Sequence, residues 1–179
     1  MSDTTHQQEK EGFHERILCL IQSEGDPSIG IVDFTAQYAK AFYELNHGWI
    51  SEIYEVEPED EKILSDPEAY YLEDGGAILI VLYKDEPVGT CALKRRGEDV
   101  VEMSKMTVAK RMRGKRIGEL LCKAILIKAR EIGAKKVVLY SNRKGSAAGV
   151  RLYLKLGFVE VPLVEREYKR ADIKMELDL

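Results

Sequence analysis

The sequence has no long hydrophobic run: its uninterrupted apolar stretches fall far short of the roughly 20 residues a membrane helix needs. It has no apolar core near its start either. "MSDTTHQQEKEGFHE" is polar throughout, which speaks against a secretory leader and for the cytoplasm. Cysteine is scarce. Cys19, Cys91 and Cys122 are far apart, odd in number and without a CxxC pair, so neither a disulfide framework nor a thiolate metal site is expected. Positive charge is not in excess: the net charge is −4, which argues against a general nucleic-acid binder. Internal repeats, low-complexity tracts and Pro/Gly-rich linkers are all missing, and nothing marks a place to cut the chain in two.

What is present is the material of one globular unit. At 179 residues with 45% hydrophobic and 32% charged side chains, the chain is long enough to bury a substantial core. Residues 1–15 are expected to form a flexible N-terminal segment and 16–179 a single domain. "RILCLIQ" (16–22) and "IGIVDF" (29–34) read as strands separated by the turn-prone "SEGDP". "TAQYAKAFYELNHGWI" opens on a Thr cap candidate and repeats apolar residues at helical spacing through Tyr38, Phe42 and Leu45. "PEDEKILSDP" is a short acidic helix, and "AILIVLYKDEPVGTCAL" a hairpin turning near Lys84–Glu86. Beyond it come a strand (99–108), a helix stopped by Gly133, the strand "KKVVLYSN", a helix ending at Gly157, and strands at "FVEV" and "ADIKMEL". Antiparallel hairpins followed by strand–helix–strand–helix–strand make a mixed α/β domain.

One stretch is out of character for an acidic chain. "KRMRGKRIGELL" (110–121) places Lys110, Arg111, Arg113, Lys115 and Arg116 around Gly114, immediately before an apolar helix. A helix entrance offers unpaired N–H groups and about half a positive charge from its dipole. Gly114 lets a ligand approach the backbone closely, and the flanking cations complete a cradle for phosphate or pyrophosphate. A solvated basic turn without a ligand is the plain alternative. No GxxxxGK[ST] and no GxGxxG after a strand occurs here, so an NTPase loop and a dinucleotide fold have no support.

At these residues the sequence resembles the GNAT superfamily of acetyl-CoA-dependent N-acetyltransferases. "MTVAKRMRGKRIG" matches the strand end, gap and [Q/R]-x-x-G-x-[G/A] loop of the family, with Arg116 where the middle glycine is usual. "GSAAGVRLYLKLGF" matches its later helix and turn, and "DEPVGTCAL" the preceding strand. The likeness covers roughly 70–179. It implies an acyl-CoA acyltransferase fold with helices on both faces of a mostly antiparallel sheet, splayed between the fourth and fifth strands. It also implies direct acetyl transfer from acetyl-CoA to a primary amine of a small molecule or peptide, with no metal. By resemblance the coenzyme's contacts fall on Met106, Thr107, Val108, Arg113, Gly114, Lys115, Arg116, Ile117, Gly118, Asn142 and Tyr153, and a homodimer through the C-terminal strands is implied.

Two residues are candidates for the proton transfers. Tyr153 matches the family tyrosine that protonates the leaving sulfur; its helical spacing with Val150, Leu154 and Gly157 also fits a core tyrosine. Glu102 is the candidate base, directly or through water, or else a rim carboxylate in an ordinary pair. In a regular strand Glu102 shares a face with Ser104, Met106 and Val108, whereas a bulge would turn it away from them. Cys122, mid-helix with no neighbouring His in sequence, reads as structural. The six acids of "SEIYEVEPEDE" (51–61) would suit a cationic acceptor or simply form a solvated helix face. Two other classes remain: a non-catalytic acyl-CoA-binding module, and a nucleic-acid domain using the 110–116 patch.

Overall fold

The computed structural model describes residues 15–22, 26–164 and 168–179. Its centre is a seven-stranded sheet in the order β1-β2-β3-β4-β5-β7-β6. The strands are β1 (Ile29–Asp33), β2 (Ala77–Tyr83), β3 (Glu86–Arg95), β4 (Val100–Val108), β5 (Lys136–Ser141), β6 (Val159–Val161) and β7 (Ile173–Asp178). Only the β4–β5 pair is parallel. The β2–β3 hairpin turns through Lys84 and Asp85, both at positive φ (50° and 65°), as a two-residue turn matched to strand twist requires.

Helices cover both faces, and β2 shows why. Ile78 and Ile80 point to one side, where they pack with Phe42 and Ile50 of α2 (Ala39–Ile53) and with Ile63 and Leu64 of α3 (Pro58–Ser65). Leu79 and Val81 point to the other, against Leu121 and Ile125 of α4 (Ile117–Glu131). A strand buried on both faces is a continuous apolar run, which "AILIVL" is. The last helix, α5 (Ala147–Lys155), ends as its sequence indicates. Gly157 takes φ 95°, the Phe158 N–H bonds the Tyr153 carbonyl at 3.0 Å, and Phe158 is buried against the Tyr153 ring.

Two expectations are corrected. Residues 15–22 form a helix, α1, where the apolar run suggested a strand. Ile17 and Ile21, four apart, are its buried positions and join the α4 side of the core; an apolar run as short as 17–21 fits either period, and tertiary contact selects one. Thr35 does not cap α2. A 3₁₀ turn (Ala36–Tyr38) intervenes and the Thr35 side chain makes no capping bond. Most of the expected flexible segment, residues 1–14, lies outside the described residues.

Candidate active site

The site begins as an irregularity in β4. Ser104 faces Ala92 and Thr107 faces Thr90, so β4 spends two residues, Lys105 and Met106, against the single Cys91 of β3. Lys105 absorbs the insertion at φ 50°, a conformation rare for a side-chain-bearing residue. The extra residue reverses the alternation, and with it the expected shared face. Glu102 and Ser104 look toward α2 and α3, with the Ser104 hydroxyl 2.9 Å from that of buried Tyr71. Met106 and Val108 look toward α4 and α5, where the Met106 thioether lies 3.2 Å from the Cys122 thiol and 3.5 Å from the Tyr153 hydroxyl.

The bulge also opens the sheet. β4 and β5 pair only from Val100–Lys136 to Glu102–Val138, although β4 runs on to Val108 and β5 to Ser141. Beyond Glu102 the strands part, and a cavity of about 670 Å³ occupies the gap.

One end of the cavity is the entrance to α4. A 3₁₀ turn (Lys110–Met112) is anchored by buried Met112; Arg113 is extended, Gly114 turns at φ 80°, and Arg116 enters the helix at φ 61°. That left-handed Arg116 supplies no side-chain cap, so the first N–H groups of α4 are left for another acceptor. A Cβ added to Gly114 would meet nothing within 4 Å, and one added to Gly118 would sit against Met106 Cε at 3.5 Å, inside the cavity wall. Uncapped donors, open space at Gly114 and a bare backbone at Gly118 fit a diphosphate. Arg113 and Arg116 line this end; Lys115 does not, its ammonium lying 5.5 Å above the Tyr83 ring. Lys110 and Arg113 pair with Glu52, and Arg111 with Glu86, which spends much of the basic patch on neighbours.

The middle of the cavity holds Tyr153, Met106, Thr107 and Val108. Burial pushes the Tyr153 phenol well above its ordinary pKa, and the Cys122 and Cys91 thiols on the same side add to the rise. Its ring seats on Gly149, where a Cβ would come within 3.5 Å. Cys122 is fully buried behind Met106, and burial raises its pKa as well. Asn142 lines the wall with its amide committed. Its Oδ1 accepts the Lys144 and Gly145 N–H groups, and its Nδ2 donates to the Arg170 carbonyl at 2.9 Å.

At the far end, Trp49, Tyr54, Tyr70 and Tyr71 all line the cavity. Glu102 is buried there, ion-paired with Arg96, whose Nε donates to Oε2 at 2.6 Å. Its Oε1 accepts the Tyr168 hydroxyl at 2.8 Å. Burial first, then the Glu102 charge, drives the Tyr168 phenol far above its ordinary pKa. None of the six acids of 51–61 lines the cavity. Asp60 is buried and holds both Lys105 (3.2 Å) and Arg170 (2.6 Å), while Glu61 takes the Tyr43 hydroxyl at 2.8 Å. Burial alone would raise the Asp60 carboxyl; Lys105, the Glu57 N–H and Arg170 outweigh it and hold it below its ordinary value.

Sequence reasoning passed over Tyr168, Lys105 and Arg170. Tyr168 and Arg170 sit in a loop without periodicity, and Lys105 reads as an ordinary exposed strand residue. Its φ and its burial follow from the bulge alone.

Comparison with known proteins agrees with this geometry. The chain matches the family described as "Acetyltransferase (GNAT) family" over residues 39–158. No curated protein sequence is significantly similar to it. Among solved structures, a GNAT-family acetyltransferase from Staphylococcus aureus superposes with TM-score 0.75 at 20% identity, covering 84% of this chain and 98% of that one. An acetyltransferase from Salmonella typhimurium, with its cofactor acetyl-CoA, gives 0.67 at 20% identity over 84% and 94%. The spermidine N-acetyltransferase of Vibrio cholerae, in complex with CoA and spermine, gives 0.67 at 16% identity over 86% and 96%. At these identities the structures share the fold.

Proposed function

The chain belongs to the GNAT acetyltransferase family, and from that premise we propose that it moves acetyl from acetyl-CoA to a primary amine by direct attack. The observation that carries this reading is the uncapped N-terminus of α4 at one end of a cleft that the β4 bulge holds open. Bound acetyl-CoA supplies an activated acetyl thioester. The chain's own groups bind it, orient it and move two protons.

Main-chain donors of Gly114–Gly118, with Arg113 and Arg116, hold the diphosphate. The β5-facing edges of Met106 and Val108, unpaired beyond Glu102, offer backbone groups to the extended arm. Tyr153 donates its proton to the departing sulfur, whose thiol pKa of about 8.5 makes a hydrogen bond or proton there useful. Its raised pKa keeps that proton in place until it is needed. At the other end an attacking amine must lose a proton, since an ammonium has no lone pair. The Tyr168 hydroxyl takes it while passing its own to Glu102 Oε1, 2.8 Å away. Cys122 supports direct attack by its position: it is buried behind Met106 and does not line the cavity.

The described fold supports one acetyltransferase unit across 16–179, since a single sheet takes strands from both ends of that span. Pairing of two copies through the C-terminal strands has support from β6, which pairs with β7 alone among the described strands and carries exposed Val159. The decisive experiment is thermal unfolding with and without acetyl-CoA, followed by amine-dependent release of the CoA thiol. At one hundred times Kd the coenzyme adds about 2.7 kcal/mol. No shift overturns the reading; a shift without thiol release from any amine points to the non-catalytic acyl-CoA-binding module.

A further inference from the structure

The acceptor end of the cavity has a charge imbalance built into its wall. Lys105 and Arg170 both line it, and both are bound to the same carboxylate, Asp60. Two cations therefore share one directly bound carboxylate, with the Glu102 charge farther from Lys105, in a place where the Asp60 side chain is 5% exposed, Lys105 15% and Arg170 29%. Excess charge out of water is expensive unless it is matched. The donors are not used up. Lys105 gives one of its three N–H groups to Asp60, and Arg170 gives Asp60 one terminal nitrogen and the Glu55 carbonyl a long contact of 3.4 Å. Tyr54 stacks on the Arg170 guanidinium at 5.2 Å and fixes its plane. The bulge aims Lys105 here: its backbone is the left-handed residue just before Met106, where the acetyl-bearing arm passes in the reading above.

Among the described residues, the rest of this wall offers a second ammonium aromatic faces but no carboxylate that is not already paired. Glu102 is, of the described residues, the one carboxylate that lines the acceptor end, and it already holds Arg96 and the Tyr168 hydroxyl. Lys94, also on the wall, binds the Tyr70 carbonyl and Asp74. A polyamine would bring more positive charge to a wall whose lining carboxylate, among the described residues, is already paired, whereas one anion would neutralise the Asp60 cluster.

We propose that the acceptor is a small amino acid-type amine, and that Lys105 and Arg170 seat its carboxylate while its amine faces the thioester. This deepens the acetyltransfer reading and rests on it. Asp60 then serves as a positioning residue that holds the two cations at the wall.

The test is a panel of matched triples offered to the full chain with acetyl-CoA: each amino acid, its carboxamide and its decarboxylated amine, with spermidine beside them. The amino acids are expected to exceed their carboxamides and decarboxylated partners by tenfold or more in kcat/KM. In Lys105→Met that ratio is expected to collapse toward one, with the loss carried by KM for the amino acid. Should Lys105→Met not fold, Arg170→Gln is read in the same way. Faster turnover of the decarboxylated amines or of spermidine overturns the proposal, as does a ratio that neither variant changes. If no acceptor is turned over, the same triples are titrated by calorimetry into the protein with and without CoA. Preference for the carboxylate that is lost in the variant supports the seat, and absence of preference refutes it. The acetyl-CoA thermal shift, measured first, separates failure of the cofactor reading from failure of this one.

Discussion

At the scale of single residues, Tyr153, Glu102 and Asp60 are each defined by what surrounds them. Burial holds the Tyr153 proton on its oxygen, which suits the donor role proposed for it, and its contact with Met106, at 3.5 Å to sulfur, leaves it ready to exchange partners. Tyr153→Phe is expected to lower kcat about 100-fold, the low end of what a positioned acid contributes, with KM for acetyl-CoA within about twofold. Steady-state kinetics decide it, and full turnover in the variant would remove the role. Glu102→Gln should change the shape of the pH–rate profile as well as its height; an unaltered profile removes Glu102 from the proton path. Asp60 answers to stability. Its carboxyl is held below its ordinary value of 3.8, so it contributes stability above that pH, and the contribution disappears as pH falls through the lower folded value. Asp60→Asn leaves Lys105 and Arg170 facing each other and should cost about 3–5 kcal/mol near neutral pH. Denaturant unfolding across pH measures this, and the variant's deficit should shrink toward the acid limit.

The functional unit at the scale of elements is the junction of β4 with α4. The bulge at Lys105–Met106 sends Met106 and Val108 to the α4 side and leaves Glu102 and Ser104 on the other, so the wall presents a different chemistry on each flank. The helix entrance adds a second irregularity, with Gly114 and Arg116 both left-handed. Gly118→Ala separates folding from binding. Its new Cβ makes ordinary contacts, at 3.5 Å from Met106 Cε and 3.9 Å from Leu152 Cδ2, and the helix gains about 0.5–1 kcal/mol over glycine. The expected result is an equal or higher melting temperature with acetyl-CoA affinity retained, because the family loop takes glycine or alanine at this position and the new Cβ packs on Met106 and Leu152. A variant that loses acetyl-CoA binding would show that the ligand needs a bare backbone here. Most of these elements were legible in advance. The β2–β3 hairpin, α4 with its stop at Gly133, and α5 with Gly157 and Phe158 all follow from period and turn chemistry. The helix at 15–22 did not, because its short apolar run has no period of its own.

At the scale of the whole molecule, the sheet parts between β4 and β5. β5 bonds β7 along all six of its residues but bonds β4 along three, so the open gap has backbone groups on its β4 side with no partner across it. Hydrogen exchange should report this asymmetry. Amides of 114–118 and of the outer half of β4 are expected to exchange faster than those of β2 and β3, and to slow on addition of acetyl-CoA. Unchanged exchange at 114–118 in the presence of saturating coenzyme would place the diphosphate elsewhere.

The basic, glycine-bearing entrance to α4 and the stop of α5 at Gly157 could be read from the chain alone, because a helix start and a helix stop are local patterns in which neighbours in sequence act together. Which flank of β4 each side chain faces, how Lys105 comes to be buried, and that none of the acids of 51–61 lines the cavity were decided by tertiary structure. One inserted residue in β4 reverses the alternation of every residue after it, and Asp60 meets Lys105 and Arg170 across 45 and 110 residues of chain. No sequence window spans such a meeting; only the packed sheet brings it about.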